Sequence, residues 1–434
     1  MHLKAIVSFE DQVINLVLEL TCGENITLYS TKPWSSLFAM ERTAFKDLDL
    51  REFVTLNIKL IHFFGYFSPE FHNSTIKIIY FFYRLGFLSF IFFSCFLTQL
   101  ANMIDSFGDI ERMTDASFLL FTNIVQCLKL YCFMNYASRI WKLVHSMNAE
   151  VFKPRNQTQC EILTKEIKLS KTISVLFLLA CTLTCISWGV SPLLDRTSDD
   201  GIRLPLSGWY PFRTDRSPGF EFVYIYQILS TWVNGLGDIS MDTCVSGTIM
   251  FISAQLSVLR DALETMKHTK NSDHQTINEA LVRNVVHFKN IVQFAEEVTF
   301  LFTAGITGQF VVGVVIVCMS MFQMSLVSVL SFQFFAMFLY QSCVLLEIYL
   351  WCFYGNEVIM KSDQLTQSAY MCEWTDAPEE FKQNLMIFMS RTQFPLKLYA
   401  SGYFTLSLET FKAIAKSSWS YFAVLNQVHE GKVA

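Results

Sequence analysis

The segment Lys412–Val428 (KAIAKSSWSYFAVLNQV) decides how the rest of the chain is interpreted, because its composition fits neither lipid nor an ordinary soluble tail. Helices that face lipid carry almost no charge. Here two lysines, three serines and two amides are interleaved with aromatic and aliphatic side chains. At a period of 3.6 residues, four of these side chains fall on one stripe of a helix. They are Ser417, Tyr421, Val424 and Val428.

This stripe predicts a helix that lines water inside a membrane. In a multi-subunit channel such a helix forms the wetted wall, and a ring of apolar side chains forms the narrow constriction that gates by dewetting. Val424 and Val428 are the candidates for that ring. The alternative is an amphipathic helix that lies on the membrane surface or packs against its own chain.

The composition of the whole chain predicts a membrane protein. Of the 434 residues, 52% are hydrophobic, 42 are Phe and only 16% are charged, which is more apolar and aromatic than a soluble protein of this length. Surface of that kind must be buried in lipid. The net charge of −5 is too small to indicate nucleic acid, so no such partner is expected.

Six apolar runs are long enough to cross about 30 Å of hydrocarbon, which takes roughly 20 helical residues. Together with the polar segment near the carboxyl terminus, they predict an all-α membrane protein with seven transmembrane helices. The seven predicted spans are residues 78–100, 116–137, 172–194, 222–250, 292–320, 326–354 and 402–428.

Prolines break helix interiors, so their positions predict where helices end. Pro192 is predicted to end the third span. No proline occurs between Pro218 and Pro378, which allows the fourth, fifth and sixth helices to run well past the bilayer on one side. These extensions predict a packed helical anchor region next to the membrane. Pro378 suits the first turn of a further helix in that region.

The distribution of Lys and Arg predicts the orientation, because these residues are retained in the cytoplasm near short loops. Outside the spans, 23 of them fall on the amino-terminal side and six on the opposite side. The amino terminus and the anchor region are therefore predicted to be cytoplasmic, and the carboxyl terminus to be extracellular. This orientation of the termini is the reverse of that in a G-protein-coupled receptor.

The spans and loops divide the chain into eight predicted segments. The first has no assigned role, and the others follow from the order of the spans. The segments are 1–50, cytoplasmic; 51–74, an amphipathic membrane-proximal helix; 75–258, transmembrane helices one to four; 259–291, a cytoplasmic loop and helix extension; 292–354, helices five and six; 355–398, the anchor with a half-helix; 399–428, the seventh helix; and 429–434, an extracellular tail.

Catalytic and cofactor-binding motifs are missing from the sequence. The eight histidines show no H-x3-H or HExxH spacing, and there is no CxxC pair, G-x-S-x-G elbow or phosphate-binding glycine loop. We therefore expect no enzyme, no cofactor and no metal site. Ionisable groups within spans are costly and usually have a purpose. For Asp238 and Asp242, structural pairing inside the bundle is favoured over ion binding, and Lys129 is expected to snorkel or to pair with an acid.

Several short motifs resemble, in their order, the insect odorant receptor family, and the resemblance extends from about Phe53 to Val428. Ser420–Val428 (SYFAVLNQV) is similar to the Thr-Tyr, five-residue, Gln-Phe signature that this family shares with gustatory receptors, with Ser and Val as conservative departures. The preceding residues, Phe411–Ser420, are similar to odorant receptor tails. Further landmarks are Leu204–Pro205, Trp209–Phe212, Met241–Thr243 and His287.

The resemblance implies a ligand-gated, non-selective cation channel, built as a tetramer with the seventh helix of each subunit around one pore. It places the hydrophobic gate at Val424 and Val428 and a polar pore residue at Gln427. Co-receptor subunits of the family carry a long insertion between the fourth and fifth spans, whereas residues 260–289 form a short loop here. The chain is thus expected to be a ligand-tuning subunit that forms a heterotetramer with a co-receptor in the plasma membrane of sensory neurons.

The resemblance also implies a small apolar pocket for the odorant in the outer half of the bundle, between the second and sixth spans. Aromatic walls with a few hydroxyls or amides suit a small volatile ligand, because apolar contact supplies affinity and one polar contact orients the ligand. Ten residues in the outer halves of the spans are predicted to line this pocket: Phe118, Phe121, Thr122, Thr184, Trp188, Tyr224, Gln227, Phe332, Phe335 and Tyr340.

Two alternative functions remain open from the sequence. One is a tastant-gated channel subunit of the related gustatory class. The other, less favoured by the orientation, is a metabotropic seven-helix receptor. A requirement for a co-receptor separates the odorant from the gustatory alternative, and the side of the membrane that holds the amino terminus separates both from the metabotropic one.

Overall fold

The computed structural model of the protein describes residues 48–68, 74–194, 204–214, 216–266 and 274–433. The predicted segment 1–50 lies almost entirely outside these ranges. Within them, six helices are long and apolar enough to cross a membrane, and they coincide with the six predicted apolar spans. A seventh, more polar helix follows near the carboxyl terminus.

The first half of the chain forms α1 to α6. Two short 3-10 turns, Leu50–Phe53 and Glu150–Phe152, precede α1 and α6. A π-helical turn at Leu88–Phe93 joins α2 and α3 into one continuous span. The helices are α1 (Thr55–Phe63), α2 (Ser74–Phe87), α3 (Ser94–Asp105), α4 (Ile110–Asn135), α5 (Ala137–Ser146) and α6 (Gln157–Leu194).

The second half contains the longest helices and a small hairpin. At 1.5 Å per residue, the 53 residues of α8 extend for about 80 Å. This length and the 46 residues of α7 confirm that the proline-free stretch runs well past the bilayer. The elements are α7 (Gly219–Glu264), α8 (His274–Leu326), α9 (Phe332–Asp363), α10 (Leu365–Tyr370), α11 (Glu379–Thr392), β1 (Tyr399–Ala400), β2 (Phe404–Thr405) and α12 (Leu408–Val433).

Two prolines behave differently at helix ends. Pro378 directly precedes α11, whose first turn carries Glu379 and Glu380, as a helix amino terminus favours. Pro192, by contrast, does not end α6 at once but lies within its last turn. The backbone carbonyl of Trp188, which loses its helical donor at the proline, accepts a hydrogen bond from the Ser191 hydroxyl at 3.2 Å. This substitute bond lets the helix continue to Leu194.

The amino-terminal part of the described chain is inserted into the bundle. Asn57, Ile58 and Ile61 of α1 are buried, and α1 packs along α7. The two backbones meet at Gly247, where a Cβ atom would lie only 2.6 Å from the carbonyl oxygen of Phe53. Only glycine permits this approach, so the predicted membrane-proximal segment 51–74 begins as a buried element.

A charged contact fixes the start of this segment. Asp49 accepts hydrogen bonds from Arg51 and from the side-chain amide of Asn148, which lies 2.8 Å away in the connection between α5 and α6. The Arg51 guanidinium lowers the pKa of Asp49 to about 2. The carboxylate therefore stays ionised at any physiological pH, and the contact persists.

The described chain is helical almost throughout, as predicted for an all-α membrane protein, but the segment before α12 changes the start of the last helix. Residues 399–405 form an antiparallel hairpin in which Ala400 pairs with Phe404. Ser401 and Gly402 take positive φ values of 53° and 72°, which suits a tight hairpin turn. The helix consequently begins at Leu408 rather than at residue 399 or 402. A strand pair this short leaves no alternating pattern in the sequence.

Candidate functional site

A cavity of about 120 Å³ lies inside the bundle and is lined by side chains of α3, α4, α6, α7, α8 and α9. One water needs only about 10–15 Å³ by the same kind of measure, so the space suits a small organic molecule. The end of the bundle that carries residues 204–214 is here called the loop side. The opposite end, next to α10 and α11, is called the anchor side.

Aromatic rings form the loop-side end of the cavity. The rings of Trp188 and Tyr340 lie 5.3 Å apart, and Phe118 packs on Tyr340 at 5.4 Å from behind the wall. The Tyr340 hydroxyl contacts the hydroxyl of Thr122 at 2.5 Å. These contacts join α4, α6 and α9. The wall is apolar because rings form it, and the hydroxyls of Tyr340 and Thr122 already pair with each other.

The connection before α7 covers this end, and Gln227 holds it in place. The Gln227 side chain accepts from the backbone N–H of Leu206 at 3.1 Å and donates to the Leu206 carbonyl at 2.9 Å. It also donates to the Tyr210 hydroxyl at 3.0 Å. One turn earlier in α7, the Tyr224 hydroxyl donates to the Gly189 carbonyl at the end of α6 at 2.5 Å.

A cluster of four ionisable groups lies at the anchor-side end. The Lys129 ammonium of α4 lies 3.2 Å from Asp238 and 2.8 Å from Asp242, both in α7, and 2.7 Å from Glu347 in α9. All four are almost fully removed from solvent. The structural pairing predicted for the two aspartates is therefore present, with Lys129 as the cation. This group is called the Lys129 cluster.

The Lys129 cluster is also the place where a metal ion would be held. The carboxylate oxygens of Asp238, Asp242 and Glu347 lie within 4.8 Å of one another, and hard cations prefer such oxygens. The ammonium of Lys129 contacts all three carboxylates and supplies one positive charge at this position.

Buried amides link α4 to α7 and to α3, and link α7 to the segment after α1. Gln126 donates to the backbone carbonyl of Asn234 at 3.0 Å, and the Tyr66 hydroxyl donates to the Asn234 side chain at 3.2 Å. On the α3 side, Asn123 donates to Gln99 at 2.6 Å. Amides that satisfy one another in this way fix the positions of helices in an apolar surrounding.

The structure brings only part of the predicted ligand set to the cavity. Thr122, Thr184, Trp188 and Tyr340 line it. The remaining six are not among its lining residues, for three different reasons. Phe118 and half-buried Phe121 pack in the core, Tyr224 and Gln227 hold the covering connection, and Phe332 and Phe335 are exposed on the outside of α9.

Sequence reasoning missed most of the polar residues of the cavity wall, and Glu347 and Gln309 are two instructive cases. Glu347 lies in the apolar run VLLEIYLW, where a lone acid inside a predicted span is the same signal that identified Asp238 and Asp242. It could have been found in this way. Gln309 carries no comparable signal, because neutral amides are common in membrane helices.

The predicted pore residues lie on one side of α12. This helix packs on α8 and α9 through a face that includes buried Ile414 and Ser418. The predicted stripe lies next to this buried face and is largely open to solvent in the single chain. Tyr421 is 60% exposed, Val424 59% and Val428 49%, Gln427 is exposed and Ser417 is half-buried.

These features together define a multi-pass membrane protein with seven membrane-spanning helices and an internal cavity large enough for a small molecule. A family model described as 7tm odorant receptor matches residues 109–419. The chain belongs to this family, which confirms the predicted family and the expectation that it is not an enzyme.

Individual relatives agree with this assignment. Odorant receptor Or1 from Anopheles gambiae is 22% identical over 88% of this chain and 96% of its own length. Odorant receptor 46a, isoform A, from Drosophila melanogaster is 23% identical over 80% and 91%. Among solved structures, that of the insect olfactory receptor OR5 from Machilis hrabei in complex with eugenol has a similar fold, with a TM-score of 0.74 and 19% identity over 87% of this chain and 98% of that one.

Proposed function

We propose that this chain is the ligand-binding subunit of an odorant-gated, non-selective cation channel. A small volatile ligand occupies the cavity, and a central pore lined by α12 opens in response. The pore forms in a heterotetramer with a co-receptor subunit, in the plasma membrane of sensory neurons. The amino terminus is cytoplasmic and the carboxyl terminus extracellular, so the loop side of the cavity faces outward.

The observation that carries this proposal is the exposed stripe of α12. A helix that runs beside six apolar spans would normally turn polar side chains inward and apolar ones toward lipid. Here the inward face is packed on α8 and α9, while Tyr421 and Gln427 remain exposed beside Val424 and Val428. Water between subunits would satisfy such a surface, and the two valines supply the apolar ring of a gate.

The position of the cavity supports the same function. It lies within one subunit, and no residue of α12 lines it, but its lining includes residues of α8 and α9, the two helices on which α12 packs. A ligand that changes how α8 and α9 pack would therefore act directly on α12. We retain the predicted segment boundaries at residues 258, 291, 354 and 398. In the proposed channel, the anchor region holds the subunits together on the cytoplasmic side.

Cysteine accessibility tests the pore assignment. Val424→Cys and Val428→Cys, each co-expressed with a co-receptor, should give ligand-evoked currents that a charged thiol reagent blocks irreversibly, because the modified side chain narrows the pore and places charge in it. Ala423→Cys is the matched control, since Ala423 is also exposed but lies off the stripe. Its current should survive the reagent.

Equal sensitivity of all three variants would contradict a pore along this stripe. A ligand response that needs a G protein and carries no reagent-sensitive current would favour the metabotropic alternative. If this chain gives currents of full size without a co-receptor, the proposed heterotetramer is not required for function.

A further inference from the structure

The Lys129 cluster contains more negative charge than positive charge. Three carboxylates share the single ammonium of Lys129, and no other Lys or Arg of the described ranges forms an ion pair with them. With every group ionised, the cluster has a formal charge of −2. An unbalanced charge of this size inside a membrane protein is costly unless another positive group or protons balance it.

The excess charge faces the cavity. Asp238 and Glu347 line the cavity wall, with side chains 14% and 8% accessible, whereas Asp242 lies behind them beside Lys129 in a separate small void. A molecule in the cavity therefore meets two carboxylates and not the lysine. The cavity wall is an acceptor of hydrogen bonds and of positive charge at this end.

Gln309 is a second, independent indication of a ligand. Its side chain lines the cavity from α8, is only 3% exposed and forms no hydrogen bond within the part of the chain that the structure describes. Buried amides are normally paired, because an unpaired amide loses its hydrogen bonds to water without replacement. The other amides around the cavity, Gln99, Asn123, Gln126 and Asn234, are paired within the chain. Among these five amides, Gln309 is the one whose oxygen and nitrogen both lack a partner within the described residues.

The opposite end of the cavity suits an apolar body. Trp188, Tyr340 and Ile316 line it, and the hydroxyl of Tyr340 is already engaged by Thr122. The cavity is therefore asymmetric, with carboxylates and a free amide at one end and aromatic and aliphatic surface at the other.

We propose that the ligands of this receptor are small volatile primary amines, bound as the ammonium ion. The ammonium donates hydrogen bonds to Asp238, Glu347 and the carbonyl oxygen of Gln309, and the hydrocarbon part packs against Trp188 and Tyr340. This assignment rests on the proposed function, because it places the ligand in the same cavity. An inorganic cation would satisfy the carboxylates but would leave the apolar end empty.

Paired ligands test the proposal in the full chain co-expressed with a co-receptor. Butylamine is compared with 1-butanol, and benzylamine with benzyl alcohol, so that each pair differs only in the polar head. The concentration of amine that evokes half-maximal current should be at least about tenfold lower than that of the matching alcohol. This is the effect expected for one charge-assisted hydrogen bond.

Isosteric variants separate the cavity wall from the rest of the cluster. Asp238→Asn should weaken the amine responses about tenfold and leave the alcohol responses unchanged. Asp242→Asn is the matched control, because it removes the same charge from the same lysine without touching the cavity wall, and it should keep the preference for amines. Glu347→Gln repeats the test from α9 if the first variant does not reach the membrane.

Binding to the purified full chain distinguishes failure of this inference from failure of the channel proposal. Amines should change the fluorescence of Trp188, identified by its loss in Trp188→Phe, whether or not any current flows. A fluorescence change without current would support the amine assignment and contradict the channel proposal. Alcohols as potent as amines, equal effects of Asp238→Asn and Asp242→Asn, or the same fluorescence change with sodium chloride alone would overturn the amine assignment.

Discussion

Helices α7 and α12 both carry polar side chains through the membrane region, but these side chains find their partners in different places. In α7 almost every residue of the spanning part is buried, and its two aspartates contact Lys129 of the same chain. In α12 the side chains of Lys412, Lys416 and Gln427 are exposed in the single chain. Polar groups with internal partners mark a site inside the subunit, and polar groups without them mark a surface that water or other subunits must cover.

The largest expected effect comes from removing the internal partner of α7. Lys129→Met leaves three buried carboxylates without their cation, and breaking a buried ion pair in this way costs about 3–5 kcal/mol of folding free energy. We expect little folded protein from this variant. The yield of monodisperse protein after size exclusion, and its thermal unfolding temperature, provide the measurement.

An exposed ion pair supplies the control. Arg139 lies 2.7 Å from Glu297, and both side chains are partly exposed, at 44% and 32%. Arg139→Met should therefore unfold at nearly the same temperature as the unchanged protein, because exposed ion pairs contribute little to stability. Equal stability of the two variants would show that the Lys129 cluster does not hold α7 in place.

A smaller effect is expected at the contact between α7 and the amino-terminal segment. Gly247→Ala places a methyl group 2.6 Å from the Phe53 carbonyl oxygen, so the backbones must separate, at a cost of about 1–3 kcal/mol. Thermal unfolding of the purified chain should show the loss. In Gly86→Ala the new methyl group meets no atom within 4 Å, and the helix should become slightly more stable. A Gly247→Ala protein as stable as Gly86→Ala would place the segment away from α7.

The smallest effect on folding is expected on the exposed stripe of α12. Val424→Ser removes two methyl groups from a side chain that is 59% exposed, so the free energy of unfolding should change by less than about 0.5 kcal/mol. The resting current in the assembled channel should rise, because a hydroxyl at the constriction favours water there. Substantial unfolding of the single chain would mean that the stripe packs internally, which is the alternative that the sequence left open.

The architecture could be predicted from the sequence because it depends on properties of continuous segments. Apolar runs gave the six spans, and the proline-free interval gave the long α7 and α8. Contacts between distant segments were harder. Lys129 and Glu347 are 218 positions apart, and only the fold shows that they meet.

The lining of the cavity was the least predictable part, since it depends on how each helix is rotated. Helix α9 is apolar on nearly all sides, so no pattern shows that Phe332 and Phe335 face outward while Tyr340 faces inward. Gln227 lies near the loop side, but its amide is used by the connection over the cavity. A polar residue near a pocket does not by itself indicate contact with a ligand.

Two neighbouring residues of α8 direct their side chains to different features of the molecule. Gln309 lines the cavity, and Phe310 packs edge-to-face on Phe404 of the hairpin, with ring centroids 6.2 Å apart. One turn earlier, Thr307 bonds the hydroxyl of Ser401 at 2.7 Å. Because Gln309 and Phe310 are joined by one peptide bond, a ligand that displaces Gln309 would also displace the residue that contacts the hairpin. The hairpin leads directly into α12.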